Sequence, residues 1–404
     1  MPSRREAFRF WLKLGLISFG GPAGQIAIMH REVVDERRWI DERSFMQALN
    51  VCMLLPGPEA LQLAIWLGWR LHGLAGGVVA GLCFIGPSMF ILLALSFVYA
   101  VHGDLPLVAA ALAGLKATVI ALIVQALVRI AGRALNHPVH WLLAIAAFVL
   151  IAGRFAPFPL VLAGAALVGL LAGKGEANRV PASPPAAFPW QTVAAGVVLW
   201  AVPALLIAAA AGPQSLYAHL YRFFTSAALL TFGGAYAILA WVNQQAVEVY
   251  GWVTQADTIA GLALAETTPG PLIMVLQFIG FMAGWHGSDG SGGAATVAAL
   301  VTSWATFLPA FVVILAAAPY VLRLAENRRL AAALTGVTAA VVGVIASLAL
   351  AFGRSVLFPA GFESPDWGSI AIAVAAFAAL QWTRLEMLWV IAGGLVAGLA
   401  LGFV

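Results

Sequence analysis

The sequence predicts an all-α polytopic membrane protein made of two homologous halves in an inverted-topology repeat, each half carrying a helical hairpin broken at a Pro-Gly-Pro turn. Three observations predict it: a composition that needs lipid as solvent, a gapless internal repeat, and arginine bias of opposite sign in equivalent loops.

The chain is 62% hydrophobic and 9% charged over 404 residues. Too few polar residues are present to cover its apolar surface against water, so the bilayer is its expected partner. Residues 73–100, 105–128, 190–211, 294–321 and 330–352 are apolar runs long enough for a helix to cross a hydrocarbon core of roughly 30 Å. No alternating girdle pattern suggests a barrel, so helices must satisfy the backbone. Residues 1–13 hold Arg4, Arg5, Arg9 and Lys13 with no small-residue cleavage site after them, and no removable signal peptide is expected.

A shift of 213 residues lays Phe19-Gly20-Gly21 on Phe232-Gly233-Gly234 and Leu55-Pro56-Gly57-Pro58 on Thr268-Pro269-Gly270-Pro271. Thirteen of the fifty positions from 9–58 are identical to 222–271, among them Arg9/Arg222, Phe10/Phe223 and Trp39/Trp252. Beyond this core the shift becomes 222, matching Pro87 to Pro309 and Gly114 to Gly336, with the nine extra residues in a glycine-rich loop around 286–293. Residues 174–189 hold four prolines and read as a linker. The expected division is therefore 1–173, the linker 174–189, and 190–404.

Loop charge sets orientation, because cytoplasmic loops retain Lys and Arg. Residues 30–43 hold Arg31, Arg37, Arg38 and Arg43, whereas their counterpart 243–256 holds none. The bias reverses at 101–107, which holds none, and its counterpart 323–329, which holds Arg323, Arg328 and Arg329. Opposite bias argues for inverted halves, with 30–43 and 323–329 cytoplasmic. On that assignment 44–72 leaves and returns on one side, a re-entrant hairpin turning where proline disfavours helix. One kinked helix is the alternative. With both hairpins re-entrant, 223–241 is expected to cross and parity requires one short segment not to span, for which 139–152 is the candidate. The total lies between about ten and thirteen spans by the length criterion.

Paired interrupted helices place a transporter's site near the membrane midplane, where half-helix N-termini bind anions through backbone N–H groups. The candidate binding residues are Ser18, Gly20, Gly21, Pro22, Gln25, Pro56, Gly57, Pro58 and Gln62 in the first half. In the second they are Thr231, Gly233, Gly234, Thr268, Pro269, Gly270 and Pro271. Ser18 and Thr231 are aligned in the repeat and offer hydroxyl donors; close helix packing is the alternative use of the glycines.

Glu59 follows the first break and Glu266 precedes the second, so each half sets one carboxylate at its break, suited to coupling or gating. A simple helix-start cap is the alternative for Glu59. Lys116, aligned with Thr338, can neutralise a passing anion or snorkel to an interface. Arg9, Arg222, Trp39 and Trp252 read as interfacial anchors. Cys52 and Cys83 lack metal-site spacing and read as packing residues. No nucleotide-binding loop, nucleophile elbow or metalloprotease motif occurs, so neither cofactor nor metal is expected and ATP is not the expected energy source. The net charge of +4 is spread over loops and does not suggest nucleic-acid binding.

Residues 19–30 (FGGPAGQIAIMH), 48–59 (ALNVCMLLPGPE), 231–236 (TFGGAY) and 264–274 (LAETTPGPLIM) resemble the chromate ion transporter family in its long, two-domain form. The resemblance runs from about residue 8 to the C-terminus; Leu61 beside Gln62 and Gly86 before Pro87 depart from the family pattern. It implies a multi-pass protein of the bacterial inner membrane that exports chromate, confers chromate resistance, and has halves of opposite topology. Sulfate or another oxyanion is the alternative substrate. A passive anion channel and a membrane enzyme acting on a lipid-linked phosphate are the readings from other classes, and a homodimer is among the assemblies open to it.

Overall fold

The computed structural model describes residues 2–19, 21–172, 188–324, 328–383 and 385–402, and every regular element among them is helical. The first half holds α1 (Arg4–Ile17), α2 (Gly21–His30, widening into a π turn Arg31–Glu36), α3 (Glu42–Leu54), α4 (Glu59–His102), α5 (Pro106–Ala134), α6 (Pro138–Ala152) and α7 (Phe158–Ala172). The second holds α8 (Trp190–Ala211), α9 (Leu216–Leu229), α10 (Ala235–Asn243, widening over Gln244–Val249), α11 (Gln255–Thr267) and α12 (Val275–His286, led by the 3-10 turn Leu272–Met274). It continues with α13 (Gly292–Ala317), the single turn α14 (Val321–Leu324), α15 (Arg328–Leu357), α16 (Trp367–Trp382) and α17 (Met387–Gly402). Of the expected linker, residues 174–187 lie outside the described residues.

Among the described residues five helices are long and apolar enough to cross a membrane: Glu59–His102, Pro106–Ala134, Trp190–Ala211, Gly292–Tyr320 and Arg329–Leu357. Each of the five apolar runs anticipated from sequence coincides with one of them to within a residue or lies inside it. Helix starts are fixed by side-chain caps, with Ser3, Asp41, Ser215 and Ser291 accepting from the backbone three residues on. Thr254 and Asp257 form a reciprocal capping box at α11.

α4 is two helices in one, bent at His72 and at Gly73, whose φ is 66°. Its first part, 59–71, folds back beside the second, 74–102, because Gly68 and Gly76 remove the side chains that would separate them. α12 and α13 repeat this arrangement, Gly284 lying against Ala295 and Ala298. In this half the turn is the glycine-rich loop expected to hold the nine extra residues.

α1 and α2 also form a hairpin. Lys13 Nζ bonds Glu32 Oε1 at 3.1 Å and Arg37 reaches Glu6 at 3.6 Å, so both chain ends lie together while Phe19 and Gly21 stand at the tip. His72 Nε2 lies 3.0 Å from the Pro2 carbonyl, which puts the α4 bend at that same basic end. In the second half Phe223 packs edge-on against Trp252 at 5.5 Å, as Phe10 does against Trp39 at 5.3 Å. Residues 223–241, expected to run straight across, therefore reverse instead: Gly233 and Gly234 at φ 73° and 100° turn the chain between α9 and α10.

The equivalent long helices run antiparallel against each other, with Gly77 on Leu315, Gly81 on Phe311 and Gly292 on Phe97. Further out the halves interlock. α5 crosses α17 where Gly114 meets Gly394 and Gly398, while its repeat-mate α15 crosses α7 where Gly336 meets Ala165 and Gly169. Small residues let these helices approach, and van der Waals contact is what holds helices together in lipid. α6 and α7 are both 15 residues long and both lie along α15, so 139–152 is not singled out as the one short segment.

Candidate functional site

Four chain reversals meet in the middle of the molecule. Those of the first half are at Ser18, Phe19, Gly21 and Pro22 and at Pro56–Pro58; those of the second are Thr231–Gly234 and Thr268–Pro271. They are tied crosswise: the Gly57 N–H donates to the Thr231 carbonyl at 2.8 Å, and the Gly270 N–H donates to the Ser18 carbonyl at 2.9 Å. Both glycines have positive φ, 128° and 109°, which side-chain-bearing residues rarely adopt. A Cβ on Gly57 would stand 3.0 Å from Ala310, and one on Gly270 would stand 2.6 Å from the Ser88 Cβ. Ser88 and Ala310 are themselves repeat-mates at a shift of 222, so one device is used twice.

Beyond each reversal a helix begins, and four N-termini converge: α2 at Gly21, α4 at Glu59, α10 at Ala235, and the Leu272 turn leading into α12. Between them lies a cleft of about 280 Å³, its open mouth included. It is lined by Pro22 and Gln25, Pro58 and Glu59, Thr231 and Ala235, and Pro271, Leu272 and Ile273, so both halves contribute. Its enclosed part holds about one water molecule.

Glu59 lines the cleft, its Oε1 3.9 Å from where a Cβ would stand on Gly234. Gln25 is fully buried; its Nε2 donates to the carbonyls of Gly270 at 2.5 Å and Ser18 at 3.3 Å, leaving Oε1 without a partner. Gln62 Nε2 donates to the Pro56 carbonyl at 2.7 Å and closes the first Pro-Gly-Pro turn, and its Oε1 is also unpartnered. The Ser88 hydroxyl is a third buried polar group without a partner beside these turns.

Several expected residues take other places. The Ser18 and Thr231 hydroxyls donate to Leu14 and Ala227 carbonyls at 2.6 and 2.7 Å, so what they bring to the centre is their backbone carbonyls. Thr268 likewise bonds within α11. Glu266 is buried outside the cleft lining and accepts from the Tyr236 hydroxyl at 2.5 Å, a partner not anticipated from the sequence although Tyr236 stands two residues after the second Gly-Gly motif. Lys116 stands away from the breaks, within electrostatic reach of Asp257, which the Tyr99 hydroxyl holds at 2.8 Å. Gly20 lies outside the described residues. Arg9 lines a second, more open cleft of about 640 Å³, its mouth included, at the basic end with Ser3, Arg5, Glu6, Phe10, Lys13 and Arg37. Its repeat-mate Arg222 is tied to the Ala218 and Pro213 carbonyls.

A helical membrane protein whose broken helices gather their N-termini around a buried cleft is, as a class, a membrane transport protein. The chain belongs to the chromate transporter family, whose model, described as "Chromate transporter", matches residues 5–170 and 218–399. It is 37% identical over 342 residues to the chromate transport protein of Pseudomonas aeruginosa, covering 84% of this chain and 79% of that one. It is 30% identical over 356 residues to the probable chromate transport protein of Synechococcus elongatus, covering 88% and 86%. With the chromate transport protein of Cupriavidus metallidurans it shares 27% over 417 residues, covering 98% and 92%. No solved structure matches it.

Proposed function

We propose that this protein carries chromate, a tetrahedral dianion, across the bacterial inner membrane, in the direction of efflux and under a gradient, with the anion bound where the four half-helix N-termini meet. That convergence carries the reading. Each N-terminus presents unpaired N–H groups and a partial charge of roughly +0.5, and four of them come close to the charge of a dianion without any buried lysine or arginine.

The two halves act as an inverted-topology repeat, and both hairpin pairs are re-entrant. The antiparallel course of α4 and α13 supports this, as does the packing of α14 against α3 near the arginine-rich 30–43 loop. On this reading the arginine-lined cleft at 3–37 faces the cytoplasm and gathers anions before they reach the centre. Membrane-inverted vesicles are the test. Chromate should accumulate in them under an imposed gradient and stop when the gradient is collapsed. Flux that persists without the gradient would make the protein a channel, and competition by sulfate would widen the substrate to oxyanions of that shape and charge.

A further inference from the structure

Among the described residues Glu59 is the one carboxylate in the cleft lining, and no cationic side chain balances its charge. Among the described residues no lysine, arginine or histidine forms an ion pair with it, and the hydrogen bond it has comes from its own backbone N–H. No cation among the described residues of the surrounding elements lies within electrostatic reach of Glu59. α3 presents the Cys52 thiol, α2 presents Gln25, the reversal after α9 presents Thr231, and the start of α12 gives only Leu272 and Ile273. Tyr236 and Glu266, on α10 and α11, are hydrogen-bonded to each other, and Arg129 of α5 lies within electrostatic reach of Tyr236 but not of Glu59. What Glu59 does face is the start of α10 in the opposite half, across the 3.9 Å to the Cβ position of Gly234. It lies where a bound anion would draw on that N-terminus. Gln25 lines the same cleft: its amide nitrogen is committed to two carbonyls, and its buried oxygen is an acceptor that a protonated Glu59 or a water can satisfy and a dianion cannot.

We propose that the Glu59 carboxylate is a tethered anion that holds the oxyanion's place at the α10 N-terminus, and that it takes up a proton and withdraws each time an oxyanion binds. The inference rests on the oxyanion site proposed above. Four N-termini supply roughly +2 in all; a carboxylate and a dianion together exceed that, so the two exclude each other. The proton comes from water onto a Glu59 oxygen as the anion enters and returns to water as it leaves. One proton is thereby tied to each anion bound, and the Tyr236–Glu266 pair has no part in the exchange.

The test is chromate binding to the purified protein, followed by tryptophan fluorescence between about pH 7.5 and pH 9, where chromate is mainly the dianion. Wild type should weaken by up to about tenfold per pH unit, the slope of one linked proton. Glu59→Gln should bind with an affinity that does not change with pH and should be the tighter binder at pH 9. An unchanged slope in Glu59→Gln would overturn the tethered-anion role while leaving the oxyanion site intact. A wild type that binds no chromate at any pH would overturn the site itself. If Glu59→Gln does not fold, Glu59→Asp decides: its shorter stem reaches less far toward Gly234, so it should bind chromate more tightly than wild type at pH 9, and equal or weaker binding contradicts the proposal.

Discussion

Gly57 and Thr231, from opposite halves of the chain, are joined by a backbone hydrogen bond of 2.8 Å, and their repeat-mates Gly270 and Ser18 are joined by one of 2.9 Å. Each Pro-Gly-Pro turn is thus pinned to the other half's Gly-Gly reversal. The paired bonds fix all four half-helix N-termini with respect to one another, and the site exists only when both halves are in place.

Gly57→Ala and Gly270→Ala should each disrupt that arrangement. A Cβ at either position meets a neighbour at 3.0 Å or less while the backbone stays at a φ that alanine disfavours. A cost of about 1–3 kcal/mol for the strain is expected. Thermal unfolding in detergent should show both losses, and chromate flux should fall in both variants alike.

Tyr236→Phe should leave the Glu266 carboxylate buried without its donor. The expected loss of stability is about 1–3 kcal/mol, the cost of an unsatisfied buried polar group. Combining it with Glu266→Leu should recover much of that loss, a coupling that a double-mutant cycle measures directly.

Gly336→Leu should force α15 away from α7, since a Cβ there already lies 3.0 Å from the Gly169 Cα. Gly114→Leu should do the same between α5 and α17, where the Gly398 Cα would be 2.8 Å away. Because the halves interlock through these crossings, either change should lower the unfolding temperature of the whole protein in one transition. Two separate transitions would contradict the interlock.

Glu32 should make the α1–α2 hairpin sensitive to acid. Burial pushes its carboxyl upward, but hydrogen bonds and charge from Lys13 and Arg37 outweigh this and hold it below the ordinary carboxylate value. A lowered folded value means the contribution is present above the unfolded carboxylate's titration and is lost as pH falls through the folded one. Glu32→Gln should therefore reduce stability at neutral pH, and the difference from wild type should shrink as the solution becomes acidic.

Much of this was legible in the sequence because glycine and proline act locally. The Pro-Gly-Pro turns break helices wherever they stand, so the gapless shift of 213 already showed two equivalent breaks, and the arginines of 30–43 already distinguished one loop from its counterpart. The reversal at Gly233 and Gly234 was harder to read, since an apolar run of 223–241 has the length of a span and two glycines can equally well serve packing. Side-chain partners were least legible. Whether the Thr231 hydroxyl points to its own helix or to a ligand depends on the i−4 carbonyl at Ala227, and nothing in the spacing of Tyr236 and Glu266 shows that α10 and α11 bring them together. Lys116 was a candidate because it is a lysine in an apolar run, but its neighbour Asp257 is supplied by tertiary packing alone.

The most direct measurement is the position of chromium in a structure of the protein with chromate bound, located by anomalous scattering at the chromium edge. One chromium peak is expected in the central cleft, among Pro22, Pro58, Thr231 and Pro271, with the Glu59 side chain turned away from Gly234. A peak confined to the arginine-lined cleft at the basic end, with the centre closed and Glu59 still facing Gly234, would contradict it.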